Sequence, residues 1–254
     1  YMKDARSVVE ENHMYIRIAS NDFFATSKDV VSKMIAGELT AEQAYQAFNA
    51  QLLADEEPAN NETVLTSGKG YSNVFHANGG NASFSVMANT LRGVYGTDVL
   101  LATANSFTGS VLQANYNQKM AASMIMPNGL MARQRTMTGA ELKETVRAFV
   151  EGCEGGFVPF NRGSLPVVSG IAVEVKEANG SYTLTGITRN GQPLGENDTV
   201  TVTCLATAKQ MATLFPDESS ALADEDTWVK DTWRDYVSGG GAVLAEPENY
   251  ITLR

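Results

Sequence analysis

The chain has 254 residues, 43% of them hydrophobic and 19% charged, an ordinary globular composition that argues against a disordered chain. Its formal net charge of −10 repels phosphate backbones and anionic membranes, so nucleic acid is not expected as a partner. No apolar run approaches the roughly 18 residues of a membrane span, and no direct membrane insertion is expected. The chain starts at Tyr1 instead of Met, which predicts a missing N-terminal part and leaves export open.

Residues 1–57 read as a small helical module, the end of a larger missing part. The stretch from Ser27 to Ala36 is amphipathic and is closed by Gly37. Thr40 and Gln43 have capping-box spacing ahead of the periodic Tyr45, Phe48 and Leu52. The polar, proline-bearing run Asp55 to Asn61 interrupts that pattern. Residues 58–75 are expected to link to a second domain spanning 76–254.

Glycine, asparagine and serine dominate from Gly68 to Asn81, the composition of a loop. Ala82 to Tyr95 carries Phe84, Ala88, Leu91 and Tyr95 at helical spacing, Gly96 to Asp98 turns, and Val99 to Ala102 is an all-apolar buried strand. Thr138 and Glu141 form a second capping-box pair, opening a helix with the stripe Leu142, Val146, Phe149 and Val150 that stops at Gly152. Strand signals follow at Gly170–Lys176, Tyr182–Thr188 and Thr199–Cys204, with an Asn190-Gly191 turn, and residues 205–215 and 225–238 read as helical. This order predicts an α+β fold, a mixed sheet with packed helices, preceded by the small helical module.

Several chemistries lack their residues. There is no phosphate-binding glycine loop of either common type, no nucleophile elbow and no zinc-protease motif. Two histidines, His13 and His76, cannot furnish a two-metal hydrolase centre. The acidic residues Asp217, Glu218, Asp224, Glu225 and Asp226 lack the ligand spacing of a calcium loop and read as a solvated face. Cys153 and Cys204 are either two buried thiols or, in an exported protein, one disulfide. Trp228 and Trp233 do not share a helix face, so at least one belongs to the core.

Four blocks spread over residues 81–254 resemble the C-terminal, substrate-recognition domain of bacterial 5'-nucleotidases. The first is Ala82 to Ala102 with Tyr95-Gly-Thr-Asp98, similar to the family's helix, "tGAD" and apolar strand. The second is Pro127 to Leu142, similar to a PFGN segment, a strand and the helix opener "ltGaqL". The third joins Gly156-Phe157 to Val168-Ser169-Gly170, and the fourth joins Ile187–Leu194 to the strand from Thr199. The resemblance implies that ligand contacts come from the segments holding Asn105, Phe107, Thr108, Asn128, Arg133, Arg135, Phe157 and Phe215, with Phe160 and Arg162 nearby.

This chain departs from the family's pattern at those segments. Where the family has NGGGIR, residues Thr103 to Thr108 carry no glycine, and Thr108 replaces the arginine. Asn128 and Leu130 stand where PFGN has its stacking ring and its asparagine. Met211 to Phe215 replaces a GGDGY-type loop and keeps only the final aromatic. Losing a stacking ring forfeits roughly 1–3 kcal/mol per base, and a lost charge-assisted bond adds a similar amount. The expectation is a non-catalytic binding or scaffold module of an exported protein, with no catalytic residues, metal ligands or cofactor in this chain. Two alternatives stay open: the substrate-binding domain of a hydrolase whose metal-bearing domain lies upstream in the same polypeptide, or a sugar- or nucleoside-binding fragment. The second draws on Met34–Phe48, which resembles the tail of sugar-type extracellular solute-binding proteins. The ligand expected is a nucleoside, nucleotide or sugar, and the setting extracellular or cell-envelope, anchored through the missing N-terminus.

Overall fold

The computed structural model describes residues 63–126, 129–158, 164–207 and 227–254, together with residues 29, 30, 32–40, 43, 44 and 47. The chain divides into two compact units, Tyr1–Glu62 and Thr63–Arg254. In the first unit residues 29–30 and 32–35 are helical, and Gly37 ends them at φ 74°. Thr40 and Gln43 make both capping-box bonds: the Gln43 N–H donates to Thr40 Oγ1 at 3.2 Å and the Thr40 N–H to Gln43 Oε1 at 2.8 Å. The Tyr45, Phe48 and Leu52 stripe, the run 55–61 and His13 lie outside the described residues.

The second unit begins with β1 (Thr63–Ser67), which falls inside the stretch 58–75 read as linker. After the two-residue strands β2 (Phe75–His76) and β3 (Gly80–Asn81) comes α1 (Ala82–Tyr95). Asn81 caps α1 by accepting from the Phe84 N–H at 3.0 Å, and Gly96 closes it in the left-handed conformation that glycine adopts without strain. Then follow β4 (Val99–Thr103), β5 (Ala114–Asn117), the short α2 (Gln118–Ala122), β6 (Leu130–Thr138) and α3 (Gly139–Glu151). Thr138 and Glu141 form the predicted capping box at the start of α3.

Strands β7 (Pro166–Ser169), β8 (Ala172–Ala178), β9 (Ser181–Arg189), β10 (Gln192–Pro193) and β11 (Thr199–Thr207) come next. β9 and β10 are joined by Asn190-Gly191, both at positive φ (52° and 76°), the primed turn that matches hairpin twist. β12 (Thr227–Trp228), α4 (Val229–Ser238), β13 (Ala242–Val243) and β14 (Ile251–Leu253) complete the unit.

Two expectations need correction. Residues 205–207 are strand, not helix, because β11 pairs with β6 along its whole length, to Thr207 opposite Leu130. Residues 227–228 pair with β6 before the helix starts at Val229. Residues 208–226, including the rest of the expected helix and the acidic stretch, lie outside the described residues.

Among the described residues the main sheet has the order β12-β6-β11-β4-β7, with β11 and β4 parallel and the other neighbours antiparallel. A second sheet runs β10-β9-β8-β14 and a third β13-β1-β5. α1 packs on β4 and β7, while α3 packs on β6 and β9. The fold is therefore mixed α+β. Leu100, Leu101, Val202, Cys204, Leu142, Val146 and Val150 form its centre, all fully buried.

The residues from Ser83 to Leu91 in α1 are all buried, polar ones included. The segment 244–254 explains this by bonding to the helix's polar side chains. Ser85 Oγ donates to Glu248 O at 3.0 Å and accepts from the Glu248 N–H at 2.8 Å. Asn89 Nδ2 donates to Glu246 O at 2.8 Å, and Thr90 Oγ1 accepts from the Ala245 N–H at 2.9 Å. Tyr250 is fully buried and its hydroxyl accepts from the Asn81 N–H at 3.1 Å. Gly80, at φ 86°, makes room for that ring; a Cβ there would sit 2.4 Å from it.

Candidate functional site

Strand direction in the main sheet brings several connecting segments to one end. β4 and β11 are parallel, so both finish there, at Thr103 and Thr207. β6 and β7 run the other way and start there, with Leu130 opposite Thr207 and Pro166 opposite Thr103. β12 reaches the same end, with Trp228 opposite Met131. The segments read as ligand-bearing in the sequence thus leave or enter the sheet at this one end.

Hydrogen bonds lace the described part of this end together. The Ala104 N–H donates to Leu165 O at 2.9 Å, the Thr108 N–H to Met124 O at 3.0 Å, and the Met126 N–H to Ser106 O at 2.9 Å. Thr103 Oγ1 donates to Asn105 Oδ1. Asn105 and Thr108 are exposed here. Ser106 is fully buried, yet its hydroxyl has no hydrogen-bond partner among the described residues. A buried orphan hydroxyl is uncommon, because an unmade hydrogen bond there costs about 1–3 kcal/mol.

The expected aromatics are placed differently. Phe107 is 5% exposed and packs on Phe84 with centroids 5.8 Å apart. Phe157 is 6% exposed, set between Phe75 at 5.7 Å and Tyr182 at 4.7 Å. Both rings are core, and neither presents an open face to a ligand. Asn128, Phe160, Arg162 and Phe215 lie outside the described residues. Arg133 and Arg135 are half-buried on β6. Side chains two apart on a strand share a face, so Met131, Arg133 and Arg135 point to the same side. Arg135 turns towards α3, lining a groove with Met137, Glu141, Glu144 and Glu196. Arg133 is the register partner of Cys204, whose thiol is pushed far up by complete burial, with the nearby arginine opposing that only in part.

One residue at this end was not singled out as a ligand contact. Trp228 is 48% exposed, while Trp233 is fully buried and donates its Nε1–H to Ala121 O at 2.8 Å. Trp228 lies opposite Met131, so it belongs to the face that carries Arg133. The tryptophan pair in the sequence signalled that one ring is core. Which one is exposed follows only from β12 being an edge strand of the sheet.

Other expected features are simply located. His76 is exposed. Cys153 and Cys204 are both buried, and neither forms a disulfide. Among the described residues no group of three or more His, Cys, Asp or Glu side chains could hold a metal ion, and no helix is long and apolar enough to cross a membrane.

No protein-family model matches the chain. No curated protein matches it either. Solved structures do. It is similar to the NAD nucleotidase NadN of Haemophilus influenzae, with 16% identity and a TM-score of 0.57, covering 85% of this chain and 46% of that one. It is similar to a 5'-nucleotidase precursor of Thermus thermophilus, with 14% identity and a TM-score of 0.56, covering 85% of this chain and 43% of that one. A third is the sulfate thiohydrolase SoxB of Thermus thermophilus in complex with glycerol, with 14% identity and a TM-score of 0.57, covering 86% of this chain and 40% of that one. The chain thus shares the mixed α+β fold of these structures and spans less than half the length of each.

Proposed function

We propose that this chain is a ligand-recognition module of an exported, nucleotidase-related protein, holding a small ring-bearing molecule (a nucleoside, nucleotide or sugar) and hydrolysing nothing on its own. The observation that carries this reading is the half-exposed Trp228 at the sheet end where β4, β6, β7 and β11 deliver their connecting segments. An indole offers a flat apolar face to a base or a sugar, worth about 1–3 kcal/mol per stacked base. Arg133 on the same face supplies charge, and Asn105 and Thr108 are exposed on the segment that leaves β4 at this sheet end. An aromatic ring, a cation and an amide are the kinds of group a small-molecule site uses.

A second reading rests on length. The chain matches under half of each nucleotidase-type structure. In this reading the same site presents substrate to a metal-bearing catalytic domain elsewhere in the polypeptide.

Fluorescence titration tests the binding. Trp233 is fully buried, so Trp228 reports ligands at the surface. Adenosine, AMP and a panel of sugars are titrated into the chain and into Trp228→Ala. Saturable quenching by one class is expected, weakened by roughly 5–150-fold in the variant with its melting temperature unchanged. A chain whose fluorescence and melting temperature respond to none of these compounds is not this module. Chelator-sensitive turnover of AMP by the purified chain would overturn the non-catalytic part of the reading.

A further inference from the structure

A separate cleft lies at the other end of the main sheet, where β4 and β11 begin. It has a volume of about 350 Å³, and its walls include Arg92, Asp98, Gly170, Arg189 and Glu248. Five parts of the chain build it: the last turn of α1, the start of β4, the β7–β8 junction, the β9–β10 turn and the segment 244–254. β4 is five residues long, which puts roughly 15 Å between this cleft and the Trp228 end.

The two arginines enter from different walls. Arg92 Nε donates to Ser169 Oγ at 2.7 Å, and its terminal nitrogen reaches Glu248 Oε1 at 3.4 Å. Arg189 reaches Asp98 through one terminal nitrogen. A guanidinium has five N–H donors, so each group keeps donors beyond these bonds. The two carboxylates are held unequally. Asp98 is held by three bonds: Oδ2 accepts from the Thr201 N–H at 2.9 Å and the Thr201 hydroxyl at 3.0 Å, while Oδ1 takes Arg189. Glu248 is held loosely, by Arg92 at 3.4 Å and by the Gly170 N–H at 3.4 Å, and its side chain is 47% exposed.

A backbone N–H beside a guanidinium is a common receptor for an oxyanion. Gly170, at φ 82°, is the only residue type that fits there, since a Cβ would sit 2.1 Å from Asp98 O. Here that receptor is filled, at long distance, by a carboxylate of the chain itself. We propose that the Arg92–Gly170–Arg189 cleft is an oxyanion-binding site for a small phosphate or carboxylate, in which Glu248 is a displaceable internal stand-in. A ligand of this class takes the Gly170 N–H and the spare guanidinium donors, and Glu248 swings into solvent. Asp98 stays in place and orients Arg189.

Proton–nitrogen correlation spectra of the full chain, titrated at constant ionic strength with inorganic phosphate and separately with malonate, test this. The Gly170 and Gly191 amides should shift saturably with at least one of the two, and the stronger probe identifies the class. Glu248→Gln removes the competing charge and should tighten binding by about tenfold. Arg189→Gln in the Glu248→Gln background should weaken it by at least about tenfold. Arg189→Lys, which keeps the charge but loses the fork, should fall between them. Melting temperatures of all variants confirm folding. Unshifted amides in the Glu248→Gln chain with both anions, or binding that ignores the Arg189 changes, overturns the proposal.

Discussion

Asp98 carries three bonds at the start of β4: from the Thr201 N–H, the Thr201 hydroxyl and the Arg189 guanidinium. Burial pushes its carboxyl up, but those bonds and the nearby Arg92 outweigh it and hold the group below its usual range. A carboxyl with a depressed folded-state pKa stabilises the protein above its unfolded-state value, about 3.9. That contribution disappears as pH falls through the folded-state value. Asp98→Asn should therefore lower the melting temperature at pH 7 by about 2–4 °C. This corresponds to about 1 kcal/mol, discounted for a side chain 35% exposed. The gap between variant and parent should begin to narrow below about pH 4 and close as pH falls through the lower folded-state value; a gap independent of pH in melting scans would show that Asp98 acts by packing instead. The sequence made Asp98 legible as part of a turn, not as the anchor between strands, because Thr201 and Arg189 are 103 and 91 residues away along the chain. The same limit applies to rings. Phe107, Phe157 and Trp228 look alike as candidates for stacking, and only their neighbours Phe84, Tyr182 and Met131 decide which of them is exposed.

At the level of elements, the sequence is legible wherever the local chain supplies the bonds. The helix Ala82–Tyr95, the strand beginning at Val99 and both capping boxes are visible in it because caps and periodicity act over three or four residues. Thr138→Ala breaks the box at α3, freeing the Glu141 N–H that the Thr138 hydroxyl accepts from at 3.2 Å. A loss of about 1 kcal/mol is expected in denaturant unfolding with an unchanged m-value, and Thr138→Ser should restore most of it. Strands of two or three residues, such as β12, β13 and β14, give no signal. They exist because a longer strand offers them an edge, and a pattern of period two cannot be read in so few residues. β11 overruns its expected end for the same reason: β6 pairs with it as far as Thr207.

Over the second unit as a whole, α+β character is legible from the order of elements, whereas the role of the segment 244–254 is not. That segment carries little periodicity, yet it satisfies Ser85, Asn89 and Thr90 on α1, buries Tyr250 and Ile251, and adds β14 to the second sheet. Each buried side chain of that size contributes about 1.5–3 kcal/mol, against a total of about 5–15 kcal/mol for a typical domain. Removing residues 244–254 should therefore lose at least about half the stability. Circular dichroism melting should then show a broad transition at a much lower temperature. A sharp transition near that of the full chain would mean that the segment decorates the fold without holding it.

Timing follows from the same segment. Lys69 and Glu246, paired at 2.8 Å, lie 177 residues apart in the chain. Ser85 and Glu248 are 163 residues apart, so at roughly 5–20 residues per second of synthesis about eight to thirty-three seconds separate α1 from the residues that cover its polar side. Throughout that interval on the ribosome, Ser85 lacks its Glu248 partner and Asn89 lacks its Glu246 partner, and the pocket behind Gly80 has no tyrosine. Completion of this unit is thus deferred until residues 245–251 have been added.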